Sequence, residues 1–498
     1  MNRALYRISL ACLAMFVLLL INVNYVQAFE STSLAGRSGN VRIFDQQFQY
    51  QRGSIVAAGD PLDPVTIAES RLVKGTTTYR RYYPFGPEYS TVTGYDSIYG
   101  STGIEYYQNK ELAGTDPRLA VHNLLGLFTG KSKVGATVNL TINPKAQQAA
   151  YQALQAQAAT DGGKAAAAVA LDPRTGAILA LASWPTFNPN ELTTFSGSQL
   201  DRTDKRLIKD PAQPLLNRAL QETYPPGSSF KVVTGSAWLS GGSGRSTTST
   251  VAAPTVLTLP NGNLLHNDGD EACADGQPQL IQAFYLSCNT AFGKLGIGVG
   301  AQALVNQANL FGWNKALSTP LPVVASRYPL ESDPSLRALS AIGQLNDEVT
   351  PMQEAMDSAA IADKGTLMTP YLVQSVQALT PSLSNVQTAS PKVLSDAVSP
   401  QVAGEMGQMM LSVTQNPGGT AYLTAGPPAV GTLQIAGKTG TAENGVNNAG
   451  LDDAVFTCFA PYSNPQIAVG VIVQGGGYGA AAAAPIAVKI IQAYLAAS

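Results

Sequence analysis

The longest uninterrupted apolar stretch lies near the N-terminus, from about Ile8 to Phe29, behind Arg3 and Arg7. It is long enough to cross a bilayer. Basic residues precede it and the next one, Arg37, comes only after it, which puts the N-terminus in the cytoplasm and the rest of the chain outside. The run reads as an uncleaved anchor. Asn22, Asn24 and Gln27 weaken its second half and leave an alternative, a signal peptide cleaved at Val26-Gln27-Ala28. From Glu30 to about Gly163 polar, tyrosine-rich segments such as Thr77-Thr78-Tyr79 and Tyr82-Tyr83 are broken by Gly and Pro, as at Pro84-Phe85-Gly86-Pro87, and predict short strands and loops. Val138 to Ile142 alternates like a strand, and Lys145 to Ala158, rich in Ala, Gln and Leu, predicts a helix.

Near Lys164 the pattern turns apolar. Ala166 to Asp172 predicts a buried strand, Pro173-Arg174-Thr175-Gly176 a turn, and Ala177 to Ala182 the returning strand of a hairpin. Helical patterns alternate with loops from Leu215 to Lys364, and the Gly/Ser/Thr-rich run from Ser240 to Pro254 reads as an exposed loop. Strands return at Gln434 to Ala436, Ala454 to Ala460 and Ile467 to Gln474, before a final helix from about Ala484 to Ala496. Strands at both ends with helices between them predict a mixed sheet whose C-terminal segment lies beside the first hairpin. The chain divides accordingly into residues 1–7 (cytoplasmic), 8–29 (anchor), 30–163 (a small, mostly β or irregular module) and 164–498 (a second domain).

Composition narrows the function classes. With 498 residues, 45% of them hydrophobic, the chain can bury a large core in more than one domain. A net charge of -2 with 13% charged residues gives no basic field for nucleic acid. There are two histidines, His122 and His266, which limits mechanisms built on a histidine base or a histidine-rich metal site. His122 reads as a helix-surface residue and His266 as a loop residue near a cleft. The cysteines contain no Cys-x-x-Cys pair. Outside the cytoplasm Cys273 and Cys288 can form a disulfide; the other reading is two buried thiols packing as small apolar residues. Met406, Met409 and Met410, at helical spacing, read as core.

Candidate chemistry begins at Tyr224-Pro225-Pro226-Gly227-Ser228-Ser229-Phe230-Lys231. Proline and glycine disfavour helix before Ser228, and a buried helix follows from Phe230 to Leu239. Ser228 and Lys231, three apart, share a face on a first helical turn. A hydroxyl at a helix N-terminus with an amine in reach is one way to activate a serine nucleophile without histidine; the other reading is a serine N-cap with a helical lysine. Ser229 lacks that spacing. Two further triplets add polar groups. In Ser287-Cys288-Asn289, positions one and three of a short extended loop point a hydroxyl and an amide the same way. In Lys438-Thr439-Gly440-Thr441, followed by Ala442-Glu443, a strand puts Lys438 and Gly440 on one face and Thr439 and Thr441 on the other. Gly440 permits close approach, and an edge strand offers free N–H groups to a peptide.

Ser-x-x-Lys, Ser-x-Asn and Lys-Thr-Gly, in that order and on those element types, resemble the signature set of penicillin-binding proteins and serine β-lactamases. The resemblance covers nearly the whole chain. Arg52-Gly53-Ser54-Ile55 resembles the opening of class B penicillin-binding proteins, although it continues as Val56-Ala57-Ala58-Gly59 where that family usually has Asp-Arg-x-Gly. Gly100 to Gly114 resembles their Gly-x-x-Gly-x-Glu stretch, and Leu140-Thr141-Ile142-Asn143 their strand before the linker helix. Leu171 to Gly176, Ala180 to Ser183, Gly437 to Glu443 and Phe456 to Pro461 match strands of the transpeptidase domain. The short front module is most similar to the actinobacterial penicillin-binding protein A group.

The resemblance implies an α+β domain with a five-stranded antiparallel sheet flanked by helices. It implies a D,D-transpeptidase that cross-links peptidoglycan stem peptides through a serine acyl-enzyme and releases D-alanine. Ser228 would be the nucleophile and Lys231 its base, neutral because it is buried beside another cation, Lys438. Ser287 would relay a proton to the leaving amine, and Asn289 would hold Lys231 and a substrate amide. Lys438, Thr439 and Thr441 would receive the substrate carboxylate, with Gly440 between them. The backbone N–H groups of Ser228 and Thr441 would form the oxyanion hole. Glu443 would help shape the cleft. No metal or organic cofactor is implied. Stem peptides would supply donor and acceptor, β-lactams would acylate the serine, and a membrane glycan polymerase and division proteins would be partners. A D,D-carboxypeptidase or β-lactamase on the same scaffold, or a non-catalytic β-lactam sensor or division scaffold, are the competing readings. No deacylating base is evident for the first two, and the intact triplets argue against the third.

Overall fold

The computed structural model describes residues 3–26, 47–119, 134–160, 164–268, 271–317, 319–378, 384–443 and 450–496. His122, Gln27 and Ala28 lie outside the described residues. In chain order, the elements that frame the site are α1 (Arg3–Tyr25), β1 (Ile55–Ala57), β2 (Val65–Leu72), β3 (Tyr79–Tyr82), β4 (Thr137–Leu140), α2 (Pro144–Thr160), β5 (Ala166–Leu171), β6 (Ile178–Trp184), α3 (Lys231–Ser240), α4 (Asn289–Val299), α5 (Pro351–Ala362), β7 (Val373–Ala378), β8 (Ser384–Thr388), α6 (Pro400–Gln415), β9 (Ala436–Ala442), β10 (Asp453–Ala460), β11 (Ile467–Val473) and α7 (Gly479–Leu495). Within α1, Tyr6–Tyr25 is long and apolar enough to cross a membrane.

Five strands form the central sheet in the order β9-β10-β11-β5-β6, every pair antiparallel. The C-terminal strand β11 does return beside the hairpin, pairing Ala468 with Leu171. The mixed pairing expected here is absent from this sheet. Each connection along the chain is either a hairpin or a long helical excursion that comes back antiparallel. Strands β5, β10 and β11 are buried at every position, which explains why they read as continuous apolar runs. Helix α5 covers one face, and α2 and α7, packed on each other, cover the other. At Gly470 a Cβ would lie 2.4 Å from Ala355 N and 2.7 Å from Glu354 Cβ, so this glycine lets α5 sit directly on the sheet.

A second sheet, β8-β7-β4-β1-β2-β3, is the mixed one: β1 and β4 run parallel, the rest antiparallel. It draws four strands from before residue 163 and two, β7 and β8, from far beyond it. Its core holds a charge cluster that sequence reading did not anticipate. Glu105, fully buried, takes Arg52 Nε at 2.6 Å on one oxygen and Arg81 Nε at 2.5 Å on the other. Tyr83 Oη also donates to Glu105 at 3.2 Å, and Asp96 lies 3.8 Å from Arg52. Two of the three segments that carried the family resemblance in this module, around Arg52 and Glu105, therefore meet as an ion pair.

Two boundaries differ from expectation. Helix α7 starts at Gly479, five residues early, with Pro485 inside it. A Cβ on Gly479 would fall 2.2 Å from Val455 O and 2.4 Å from Gly440 O, so the glycine lets the helix begin against the sheet. The stretch from Ser240 to Pro254 is not wholly exposed: Val251 and Ala253 are buried, and their N–H groups bond Pro278 O and Gly276 O.

Candidate active site

The three triplets converge on one open cleft of about 1090 Å³. Ser228 sits on a single 3-10 turn, Gly227–Phe230, that leads straight into α3. Gly227 has φ +56°, and a Cβ there would lie 2.6 Å from Thr441 O. Opposite it, a Cβ on Gly440 would lie 2.5 Å from Pro226 O. The facing glycines let the serine turn pack backbone to backbone against β9, the edge strand of the sheet. A third glycine, Gly343 (φ +79°), closes the turn from behind, its carbonyl accepting from Gly227 N at 2.9 Å. Sequence reading missed Gly343.

The Ser287 triplet is not an extended loop. Ser287 has φ +60°, a left-handed conformation uncommon for serine, and Asn289 opens α4 directly after it. The tight turn still brings hydroxyl and amide to one cleft. Cys288, between them, is disulfide-bonded to Cys273 with Cα atoms 5.9 Å apart, and the sequence reading of two free thiols falls away.

Lys231 and Lys438 are both fully buried. Lys231 Nζ lies 2.8 Å from Ser228 Oγ, 2.8 Å from Ser287 O, 2.7 Å from Asn289 Oδ1 and 3.2 Å from Ser287 Oγ. Ser287 O and Asn289 Oδ1 can only accept. They take both N–H groups of a neutral amine and leave its lone pair for the Ser228 hydroxyl proton. Asn289 is oriented for this by its own amide N–H, 3.5 Å from Asp268 Oδ1. Burial pushes the Lys231 amine well below the ordinary lysine range, the nearby Lys438 pushes it further, and Asp268 opposes both. The Phe292 ring, 5.7 Å from Lys231 Nζ, and the Phe284 ring, at the same distance from Lys438 Nζ, supply apolar walls.

Lys438 Nζ donates to Ser287 Oγ at 2.9 Å and to Thr439 O at 2.9 Å. Burial lowers its amine to about 7, again against Asp268. Ser287 Oγ thus stands between the two amines. Thr439 and Thr441 line the cleft with Ser228, Ser287 and Asn289, and Thr439 Oγ1 is 2.7 Å from Thr420 Oγ1. Thr420 and Asp268 belong to this constellation, and no motif pointed to them. His266 ends a short strand, Leu264–His266, on the cleft wall rather than lying in a loop. Glu443 also lines the cleft. Met406, Met409 and Met410 are fully buried in α6, as their spacing predicts.

Residues 166–492 match the model of the penicillin-binding protein transpeptidase domain. The chain belongs to the penicillin-binding proteins. Residues 52–138 match the dimerisation domain of penicillin-binding protein A. Over 509 aligned residues this penicillin-binding protein is 38% identical to the peptidoglycan D,D-transpeptidase PbpA of Mycolicibacterium smegmatis, covering 99% of both chains. The ceftriaxone acyl-enzyme complex of penicillin-binding protein A from M. tuberculosis superposes with a TM-score of 0.84 at 38% identity, over 90% of this chain and 99% of that one. The penicillin G acyl-enzyme complex of that protein gives 0.81 over 90% and 100%. Both are covalent β-lactam adducts of the M. tuberculosis protein.

Proposed function

We propose that this penicillin-binding protein is a peptidoglycan D,D-transpeptidase held at the cell membrane by α1, with its catalytic domain outside. The observation that carries this reading is the bonding of Lys231: two N–H groups committed to obligate acceptors, and a lone pair facing Ser228 Oγ at 2.8 Å. Ser228 Oγ attacks the carbonyl carbon of the penultimate D-alanine of a stem peptide, and its proton passes to Lys231 Nζ. The negative charge that develops on the carbonyl oxygen is met by the backbone N–H groups of Ser228 and Thr441. As the C–N bond breaks, the proton moves from Lys231 through Ser287 Oγ to the leaving nitrogen, and D-alanine departs. Lys438, Thr439 and Thr441 hold its carboxylate. An amine of a second stem peptide then attacks the acyl-enzyme, returns a proton to Ser228 and leaves a cross-link. β-Lactams acylate the same serine. A membrane glycan polymerase and division proteins are the proposed partners.

Labelling with a fluorescent penicillin tests the reading. The wild-type protein acquires a slowly released adduct on Ser228, and Ser228→Ala abolishes it. Labelling that persists in Ser228→Ala, or rapid turnover of penicillin, contradicts the assignment.

A further inference from the structure

Behind the nucleophile turn lies an acid that the mechanism above does not use. Glu354, on α5, is 1% exposed, and its Oε1 lies 2.7 Å from Ser229 Oγ. Ser229 Oγ is also 2.8 Å from Pro226 O. Ser229 has one hydroxyl hydrogen, and Pro226 O can only accept. If the hydrogen goes to Pro226 O, the contact with Glu354 is a hydrogen bond only when the carboxyl carries the proton. Glu354 Oε2 has no hydrogen-bond partner, and an ionised carboxylate with one oxygen buried and unmatched is costly. Burial pushes the carboxyl up to about 8 despite the contribution of Ser229.

The relay ends at the joint between the two walls of the oxyanion hole. Pro226 O is the atom that a Cβ on Gly440 would meet at 2.5 Å, and Gly227 abuts Thr441 O in the same way. We infer that Glu354, as a neutral carboxyl, is a positioning residue: it donates to Ser229 Oγ, Ser229 donates to Pro226 O, and this chain fixes the turn so that the Ser228 and Thr441 N–H groups converge on one oxygen. When Glu354 ionises, the Ser229 hydroxyl turns to the carboxylate and releases Pro226 O. Other ionisable groups on the elements around Glu354 are Asp357 on its own helix, Lys231 on α3, Glu405 on α6, Asp453 and Cys458 on β10, and Arg218, which pairs with Glu222 at 2.9 Å. Strands β5 and β11 carry none. Among the described residues no ion pair reaches Glu354.

The inference rests on Ser228 being the nucleophile, and its test separates the two. Acylation by penicillin G is resolved into non-covalent affinity and the acylation rate constant for wild type, Ser229→Ala, Glu354→Leu, Glu354→Gln and the Ser229→Ala/Glu354→Leu pair. The adduct is mapped by peptide mass in each. We expect the rate constant to fall by roughly tenfold or more in Ser229→Ala and Glu354→Leu with affinity unchanged, as for a disturbed oxyanion hole. The double variant falls little further, because both changes break one relay. Glu354→Gln, whose amide still donates, keeps a rate within about threefold of wild type, and the wild-type to Gln ratio falls as pH rises past 8, because only the carboxyl ionises. Equal losses in Gln and Leu, additive losses in the double variant, or a pH-independent ratio overturns the inference. If Glu354→Leu fails to fold, Ser229→Ala and Glu354→Gln decide it alone. An adduct away from Ser228 overturns the reading beneath it instead.

Discussion

The molecule buries charge in two places and treats it in opposite ways. In the N-terminal module Arg52 and Arg81 share Glu105, with Asp96 3.8 Å from Arg52, so cations and anions balance within ion-pair distance. In the cleft Lys231 and Lys438 are as deeply buried, of one sign, and linked through Ser287 Oγ. The nearest compensating carboxylate, Asp268, touches Asn289 rather than either amine. Desolvation acts on both clusters. In the first it is offset at Glu105: burial would raise the carboxyl, but Arg81 and Arg52 outweigh it and hold it low, while at Asp96 burial outweighs Arg52 and raises it. In the second Asp268 offsets it only in part, and burial pushes both amines below the ordinary lysine range. The same physical cost is structural where charges match and becomes catalytic basicity where they do not.

Breaking each cluster sharpens the contrast. Lys231→Met removes the base, and penicillin acylation should fall by a factor on the order of a thousand or more, since base and nucleophile act as a unit. Its folding stability, read by denaturant unfolding, should stay within about 2 kcal/mol of wild type, because an unmatched buried amine is replaced by an apolar chain. Glu105→Gln should show the reverse. It strands two buried guanidinium groups and should cost roughly 3–5 kcal/mol of stability, while folded molecules acylate at the wild-type rate.

The smallest effect is in the pH dependence of stability. The lowered value of Lys438 means that its contribution is present above the ordinary lysine range and is lost as pH falls toward about 7. Glu105 is also lowered, so its contribution is present above the ordinary glutamate range and is lost only as pH falls through its own depressed value. Lys438→Met should therefore flatten the stability profile on the alkaline side by at most about 1.4 kcal/mol per pH unit, and Glu105→Gln the acid side. Unfolding curves from about pH 2 to about pH 10.5 measure both.

The sequence made one cluster legible and hid the other. Ser228/Lys231, Ser287/Asn289 and Lys438/Thr439/Thr441 are short triplets, each held by one turn or strand, so local spacing announces them. The apolar runs of β5, β10 and β11 were legible because sheet strands covered on both faces tolerate no polar alternation. Arg52, Arg81, Asp96 and Glu105 are spread over more than fifty residues of polar, glycine-rich chain, and only the fold makes them neighbours. Glu354 lies 125 residues from Ser229, on a helix with no motif. Thr420 and Gly343 were invisible for the same reason: their roles are contacts with segments distant in sequence, Thr420 with Thr439 and Gly343 with the turn at Gly227, not patterns along the chain. The left-handed turn at Ser287 was hidden because serine carries no signal for it.

The central claim is that Lys231 is a neutral amine in the resting protein. The most direct measurement is the pH dependence of the penicillin G acylation rate constant of the wild-type protein. The account predicts a rate that rises with pH, levels off well below the ordinary lysine value of about 10.4, and declines past about 8 as Glu354 ionises. A rate that keeps rising until it tracks an unperturbed lysine near that value would contradict it.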